Sequence, residues 1–168
     1  MVNRTSINRC PWPSDDEKMI HYHDHEWGVP VHDDKKLFEY MVLDAFQAGL
    51  SWRTVLHKRE NFRKAFDNFD PEKVAKFDQK KIKKLMSDAG IIRNRLKIGS
   101  SVTNARSFNK IKEQYGTFDK YIWKFTDGKT IHNKWTPLKE LPPRSAVSDV
   151  MSKDLIQNGF KFVGSTIC

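Results

Sequence analysis

The chain reads as a single all-α domain spanning residues 1–168, and three observations predict this. Its apolar residues recur at helical spacing, Asp, Ser and Gly residues punctuate it as helix starts and stops, and no segment alternates as a half-buried strand would. At 168 residues it can bury one substantial core, and a charged fraction of 30% with a mean hydropathy of −0.69 suits a polar surface around that core.

Taken in order, Leu37, Phe38, Met41, Val42 and Ala45 follow the acidic start Asp33-Asp34, so a helix is predicted from about residue 34 to 48, ended by Gly49. Ser51 can cap a second helix through Val55 and Leu56. Asp70-Pro71-Glu72 supplies an N-cap, a proline at the first helical position and an acid in the first turn, opening a short helix through Val74 and Phe77. Asp78 starts the next, with Ile82, Leu85 and Met86 on one side and Gly90 as its stop. A longer amphipathic helix carries Leu96, Val102, Ala105, Phe108 and Ile111 towards Gly116. Tyr121, Ile122 and Phe125 add another before Gly128. Residues 128–146, with Pro137, Pro142 and Pro143, read as an irregular excursion, and Ser148 to Asn158 as a last helix closed by Gly159. The expectation is about seven or eight short helices with no internal repeat or linker.

No apolar run approaches the roughly 18 residues of a membrane span, and Met1-Val2-Asn3-Arg4-Thr5 has no signal-peptide character, so no membrane partner is expected. Two cysteines, Cys10 and Cys168, do not make a disulfide framework, and a cytoplasmic location is expected. The net charge of +9 is spread over Lys58-Arg59, Lys80-Lys81-Ile82-Lys83-Lys84 and Arg93-Asn94-Arg95-Leu96-Lys97. Attraction to a phosphate polyanion is its simplest functional use, although a solvated basic surface explains charge alone equally well.

Residues Lys83 to Arg95 read as helix, tight glycine turn at Gly90, helix, with cations on both sides. Such a turn points backbone N–H groups outward from a helix N-terminus, where Arg93 and Arg95 can help grip a phosphate. The segment resembles the helix-hairpin-helix DNA-binding element, with Ile92 standing where the common form has its second glycine; an ordinary glycine-terminated corner is the alternative. A second constellation joins Trp12, Tyr22, Trp27, Asp44 and Trp52, with Gln47-Ala48-Gly49-Leu50-Ser51 between the last two. Flipping a base out of a duplex costs a few kcal/mol, which aromatic sandwiching returns, while a carboxylate can accept from an exocyclic amine. Indole faces and a nearby carboxylate would favour an electron-poor base that can carry positive charge. Core packing is the ordinary role of any one tryptophan.

Together with Tyr22-His23-Asp24, Glu26-Trp27-Gly28-Val29-Pro30, Lys58-Arg59-Glu60-Asn61-Phe62, Asp88 to Arg93 and Gly159 to Gly164, these segments resemble the 3-methyladenine DNA glycosylase I family over nearly the whole chain. The resemblance implies excision of 3-methyladenine from alkylated double-stranded DNA by hydrolysis of its N-glycosidic bond, by a monomer. It implies that Tyr22, Asp44 and Trp52 contact the flipped base, that Trp12 and Trp27 wall the pocket, and that Gln47, Gly49 and Leu50 lie in the loop entering the duplex. Many members have glutamate in place of Asp44, whose shorter side chain lengthens the reach to the base or admits a water. No nucleophile is implied, and Asp44 acts as recogniser and electrostatic stabiliser.

No cofactor is required for such chemistry. Family members often carry a structural zinc on two Cys and two His, and Cys10 and His23 match the first pair, giving a half-site unless His21, His25 or Cys168 joins it. The second pair would fall beyond Cys168, so the chain is expected to lack the C-terminal tail of the family. Two readings compete with the glycosylase: a catalytically weak DNA-binding helical module, and a zinc hydrolase using His21, His23 and His25, whose alternation matches no helical ligand pair.

Overall fold

The computed structural model describes residues 9–133 and 141–168; Met1 to Thr5 and Pro137, read above, lie outside the described residues. All regular structure among them is helical: α1 Glu17–His25, α2 Asp34–Gln47, α3 Trp52–Ala65, α4 Pro71–Val74, α5 Gln79–Ser87, α6 Arg95–Tyr115, α7 Phe118–Trp123 and α8 Ala146–Gln157. None is long and apolar enough to cross a membrane. The chain divides into two compact units, residues 1–30 with α1 and residues 31–168 with α2 to α8.

In the first unit the Asp16 carboxylate accepts from the amides of Lys18 and Met19 and so starts α1, a helix that buries only Met19. This helix was not predicted, because its one buried apolar position makes no stripe.

The second unit is organised around α6, whose 21 residues bury Ile98, Val102, Ala105, Phe108 and Ile111. Around it packs an aromatic core. Phe46 of α2 meets Phe62 of α3 edge-on at 4.6 Å, and Phe108 stacks on Phe118 of α7 at 4.0 Å. Offset and edge-on aromatic pairs add about 0.5–1.5 kcal/mol each to their burial. The predicted caps are in place: Ser51, Asp70 and Asp78 accept from first-turn amides of α3, α4 and α5. The last helix begins earlier than Ser148, because Ser145 and Ser148 exchange hydrogen bonds as a capping box.

Leu96, expected on the apolar face of α6, is instead 75% exposed. It sits at the second position of the helix, and Ile98 takes the buried direction two residues on. Between α3 and α4 the chain makes a left-handed turn, with φ of 50° at Asp67, 57° at Asn68 and 54° at Phe69. That conformation costs roughly 1–2 kcal/mol per non-glycine residue, and burial of Phe69 in the core offsets it.

An ionic tie sets α2 against α3. Glu39, buried on α2, accepts at one carboxylate oxygen from Arg59 Nε at 2.7 Å and Arg63 Nη2 at 2.8 Å, both on α3, and its other oxygen lies 3.3 Å from Lys36 Nζ. Burial by itself would raise the Glu39 pKa, but the Arg59 hydrogen bond and the three nearby cations hold it below the ordinary value.

Candidate active site

α2 delivers Asp44 one turn before its end. The carboxyl is largely withdrawn from water, and this desolvation pushes its pKa up to about 7. It is therefore a group poised between neutral acid and carboxylate near physiological pH. Cys168, the last residue, lies within electrostatic reach: its thiol is pushed up to about 11 by burial and by the Asp44 charge.

Beyond Gln47 the chain reverses in a tight turn. Ala48 has φ −48° and ψ 114°, Gly49 has φ +78°, and the Leu50 amide donates to the Gln47 carbonyl at 2.6 Å. This is a type II β-turn, whose third position requires a positive φ and hence favours glycine. A Cβ on Gly49 would meet no atom within 4 Å, so backbone conformation alone calls for glycine there. The turn leaves Leu50 43% exposed at its tip. Ser51 then caps α3 and places Trp52 at the first helical position, partly buried against the core.

The hairpin is formed by α5, residues 88–94 and α6. Asp88 accepts from the Gly90 amide at 2.7 Å, Ile91 is buried as the anchor, and Asn94 caps α6 by accepting from the Lys97 amide at 3.1 Å. Gly90 is needed for closeness of approach: an added Cβ would lie 2.9 Å from the Asp88 carboxylate and 3.2 Å from Asn61 Nδ2. Lys58 Nζ donates to the carbonyls of Ala89 at 3.1 Å and Gly90 at 3.3 Å, and Asn61 Nδ2 to that of Gly90 at 3.1 Å. Arg93 and Arg95 are exposed. Gly90→Ala is expected to lower stability by about 1–3 kcal/mol through this overpacking, measured by urea denaturation.

Within the N-terminal unit, Trp12 is the hub of an aromatic cluster. Its ring lies 5.3 Å from Trp27 in an edge-on pair, 5.1 Å from His23 and 6.3 Å from Tyr22, and His23 stacks on Trp27 at 5.6 Å. Asp24 receives Arg9 Nε at 2.9 Å and pairs with His23 Nδ1 at 2.9 Å. Those two hydrogen bonds, Arg9's first, hold the Asp24 carboxyl down to about 2. His21 and His25 stack on one another at 4.5 Å.

A structural zinc does not fit what surrounds Cys10 and His23. No group of three or more His, Cys, Asp or Glu side chains able to hold a metal ion gathers among the described residues, and one His23 ring nitrogen is engaged by Asp24. Two ligands fall short of a tetrahedral site. The same observation leaves the His21, His23, His25 hydrolase reading without a ligand set.

The predicted residues thus fall into three local groups: Asp44, Gln47, Gly49, Leu50 and Trp52 around the α2–α3 turn, Gly90, Arg93 and Arg95 in the hairpin, and Trp12, Tyr22, His23 and Trp27 in the N-terminal cluster. Sequence reading did not find Lys58, Asn61 and Lys97, whose partners are backbone carbonyls at least 29 residues distant. Nor did it separate Lys58-Arg59 from the surface charge. Both are used internally, Arg59 on Glu39 and Lys58 on the hairpin turn.

An all-helical unit that presents a hairpin with outward arginines, a desolvated carboxyl and an exposed leucine on a glycine turn defines a helix-hairpin-helix protein. The sequence pattern described as methyladenine glycosylase matches residues 12–168, and the chain belongs to that family. It is 47% identical over 162 residues to DNA-3-methyladenine glycosylase 1 of Escherichia coli strain K12, covering 96% of this chain and 87% of that protein. With DNA-3-methyladenine glycosylase of Haemophilus influenzae it shares 43% identity over 160 residues, covering 95% and 86%. A crystal structure of a single-residue variant of 3-methyladenine DNA glycosylase I in complex with 3-methyladenine superposes with a TM-score of 0.92 at 36% identity, covering 96% of this chain and 87% of that one.

Proposed function

We propose that this glycosylase hydrolyses the N-glycosidic bond of 3-methyladenine in alkylated duplex DNA after the base has left the helix. The observation that carries the reading is Asp44: a carboxyl desolvated at the end of α2, beside a turn whose exposed tip is Leu50. Its ionised form in so dry a setting attracts a cationic ring far more than a neutral one, which distinguishes 3-methyladenine from adenine. The C1′–N9 bond breaks with its electron pair going to the base, water adds to C1′ and loses a proton, and free base and an abasic site result. Methylation has already made the base a good leaving group, so binding its departing form tightly supplies acceleration without a protein nucleophile.

Trp52 is assigned the stacking surface, and Leu50 on the turn with Gln47 and Gly49 the space vacated in the duplex. Tyr22, Trp12 and Trp27 are assigned aromatic contacts to the base on the strength of the family resemblance. Arg93, Arg95 and the amides beyond Gly90 are assigned the phosphate grip.

The direct test is release of free methylated base from alkylated DNA, with and without a chelator; release unaffected by the chelator is expected, and binding without release would leave a DNA-holding module. Trp52→Ala should lower excision much more than it lowers affinity for undamaged duplex, because stacking acts only on an extruded base; equal losses would make Trp52 a packing residue. Arg93→Ala should weaken duplex binding for all sequences and lower the slope of log K against log salt by about one unit. Its affinity for free 3-methyladenine should stay at the wild-type value. Loss of free-base binding would instead make the hairpin structural.

A further inference from the structure

One side chain of the hairpin reaches back to the turn beside Asp44. Lys97, in the first turn of α6, is 6% exposed, and its ammonium donates to the carbonyl of Phe46 at 2.8 Å and to that of Ala48. Both carbonyls belong to the end of α2, a helix with no basic residue in its own last turn. The final carbonyls of a helix need donors and carry partial negative charge, so a cation from elsewhere suits them. In the other direction, Lys58 and Asn61 of α3 donate to the hairpin carbonyls of Ala89 and Gly90. The end of α2 is therefore fastened to the start of α6, and α3 to the hairpin turn, one tie in each direction. Beyond Phe46 the turn has little apolar anchorage of its own, since Gly49 and Leu50 are exposed. Lys97 is what holds its carbonyls.

We infer that Lys97 is a positioning residue for excision: it fixes the Gln47–Leu50 turn relative to the hairpin, so that seating phosphate on the hairpin seats Leu50 at the base step. The inference rests on the reading above, in which the hairpin holds DNA and Leu50 enters the duplex. A displacement of about 1 Å at such a turn can cost on the order of 100-fold in rate while leaving each binding element intact.

The test uses the full chain with Lys97→Met, which keeps length and removes the donor, and Lys97→Gln, whose amide can still serve one carbonyl. Affinity for undamaged duplex with its salt slope, and affinity for free 3-methyladenine, should stay within about two-fold of wild type, because neither the arginines nor Asp44 and Trp52 are altered. Single-turnover release of base from alkylated duplex at saturating enzyme should fall by about ten-fold or more for Lys97→Met, with Lys97→Gln recovering part of it. The fluorescence rise of a 2-aminopurine placed beside the lesion should shrink in parallel. A folded Lys97→Met protein with the wild-type single-turnover rate would overturn the inference, as would equal losses in all three measurements. Absence of release by the wild-type protein would sink the proposed activity itself, which separates that failure from this one. Should neither variant fold, the Lys97 ammonium is observed in the wild-type protein by lysine-selective nitrogen-15 NMR. Its resonance is expected to shift on adding undamaged duplex, and a signal indifferent to DNA would refute the coupling.

Discussion

Replacing Asp44 by asparagine is expected to cut 3-methyladenine excision by about 100-fold, a typical loss for one electrostatic stabiliser of a transition state, while making the folded protein more stable at pH 8. The two effects share one cause. Desolvation raises the Asp44 pKa from 3.8 to about 7, so the folded protein binds this proton more tightly than the unfolded chain does. Stability therefore falls as the pH rises from about 4 to about 7, where the carboxyl ionises in the unfolded chain first, and the deficit persists above that range. At about 1.4 kcal/mol per pH unit between 3.8 and about 7, the standing cost of the ionised group is of order 4 kcal/mol. Asparagine removes this cost, and urea denaturation at pH 4 and pH 8 should show the variant gaining far more at the higher pH. For the wild type, kcat/KM should rise through about pH 7 as the free enzyme acquires its carboxylate. An asparagine variant that excised normally, or was no more stable at pH 8, would remove Asp44 from this role.

Glu39→Ala should lower stability by about 3–5 kcal/mol, because it leaves Arg59 buried without its carboxylate. For a chain of this size that is on the order of 10 °C in Tm. Replacing Glu39 and Arg59 together by Met and Leu should recover much of the loss, since the penalty comes from a buried guanidinium lacking its carboxylate more than from the missing bond. Because the Glu39 pKa is lowered on folding, the stability it contributes is present above the ordinary carboxylate range and is lost as the pH falls through the folded value. Thermal melts of the three proteins at pH 7 and pH 3 check this. A double variant as unstable as Glu39→Ala would mean that α2 and α3 depend on the pair itself.

The helices that bury a repeating apolar stripe were legible in the sequence. α2, α3 and α6 announce themselves through Phe38 and Val42, Val55 and Leu56, and Val102, Ala105 and Phe108, and the starts of α2 and α3 through Asp33 and Ser51, which cap them. α1 was not, since a nine-residue helix with Met19 as its buried position has no period to read. Of the candidate site, the local parts were legible: Gly49 and Gly90 mark turns, one through its positive φ and the other through the closeness of Asp88 and Asn61. What sequence spacing could not supply was the partner of a buried charge. Glu39 stands on the same stripe as Val42 and Phe46, and Lys97 beside Ile98 on the face that carries Ser101 and Asn104. A charge on a stripe signals a buried partner, but the partners lie 20 residues away for Arg59 and 51 for Phe46. Only tertiary packing names them.

α3 carries Trp52, Lys58, Arg59, Asn61, Phe62 and Arg63 within fourteen residues, and between them they reach four neighbours: the core beside the turn, the hairpin, Glu39 and the Phe46 ring. Each added residue in a helix rotates everything after it by about 100°. A one-residue insertion between Trp52 and Lys58 would therefore aim Lys58 and Asn61 away from the hairpin and Arg59 away from Glu39 in a single event, with no substitution elsewhere able to restore both. The length of this helix cannot drift, and relatives of this sequence are expected to keep the count from Trp52 to Arg63 fixed.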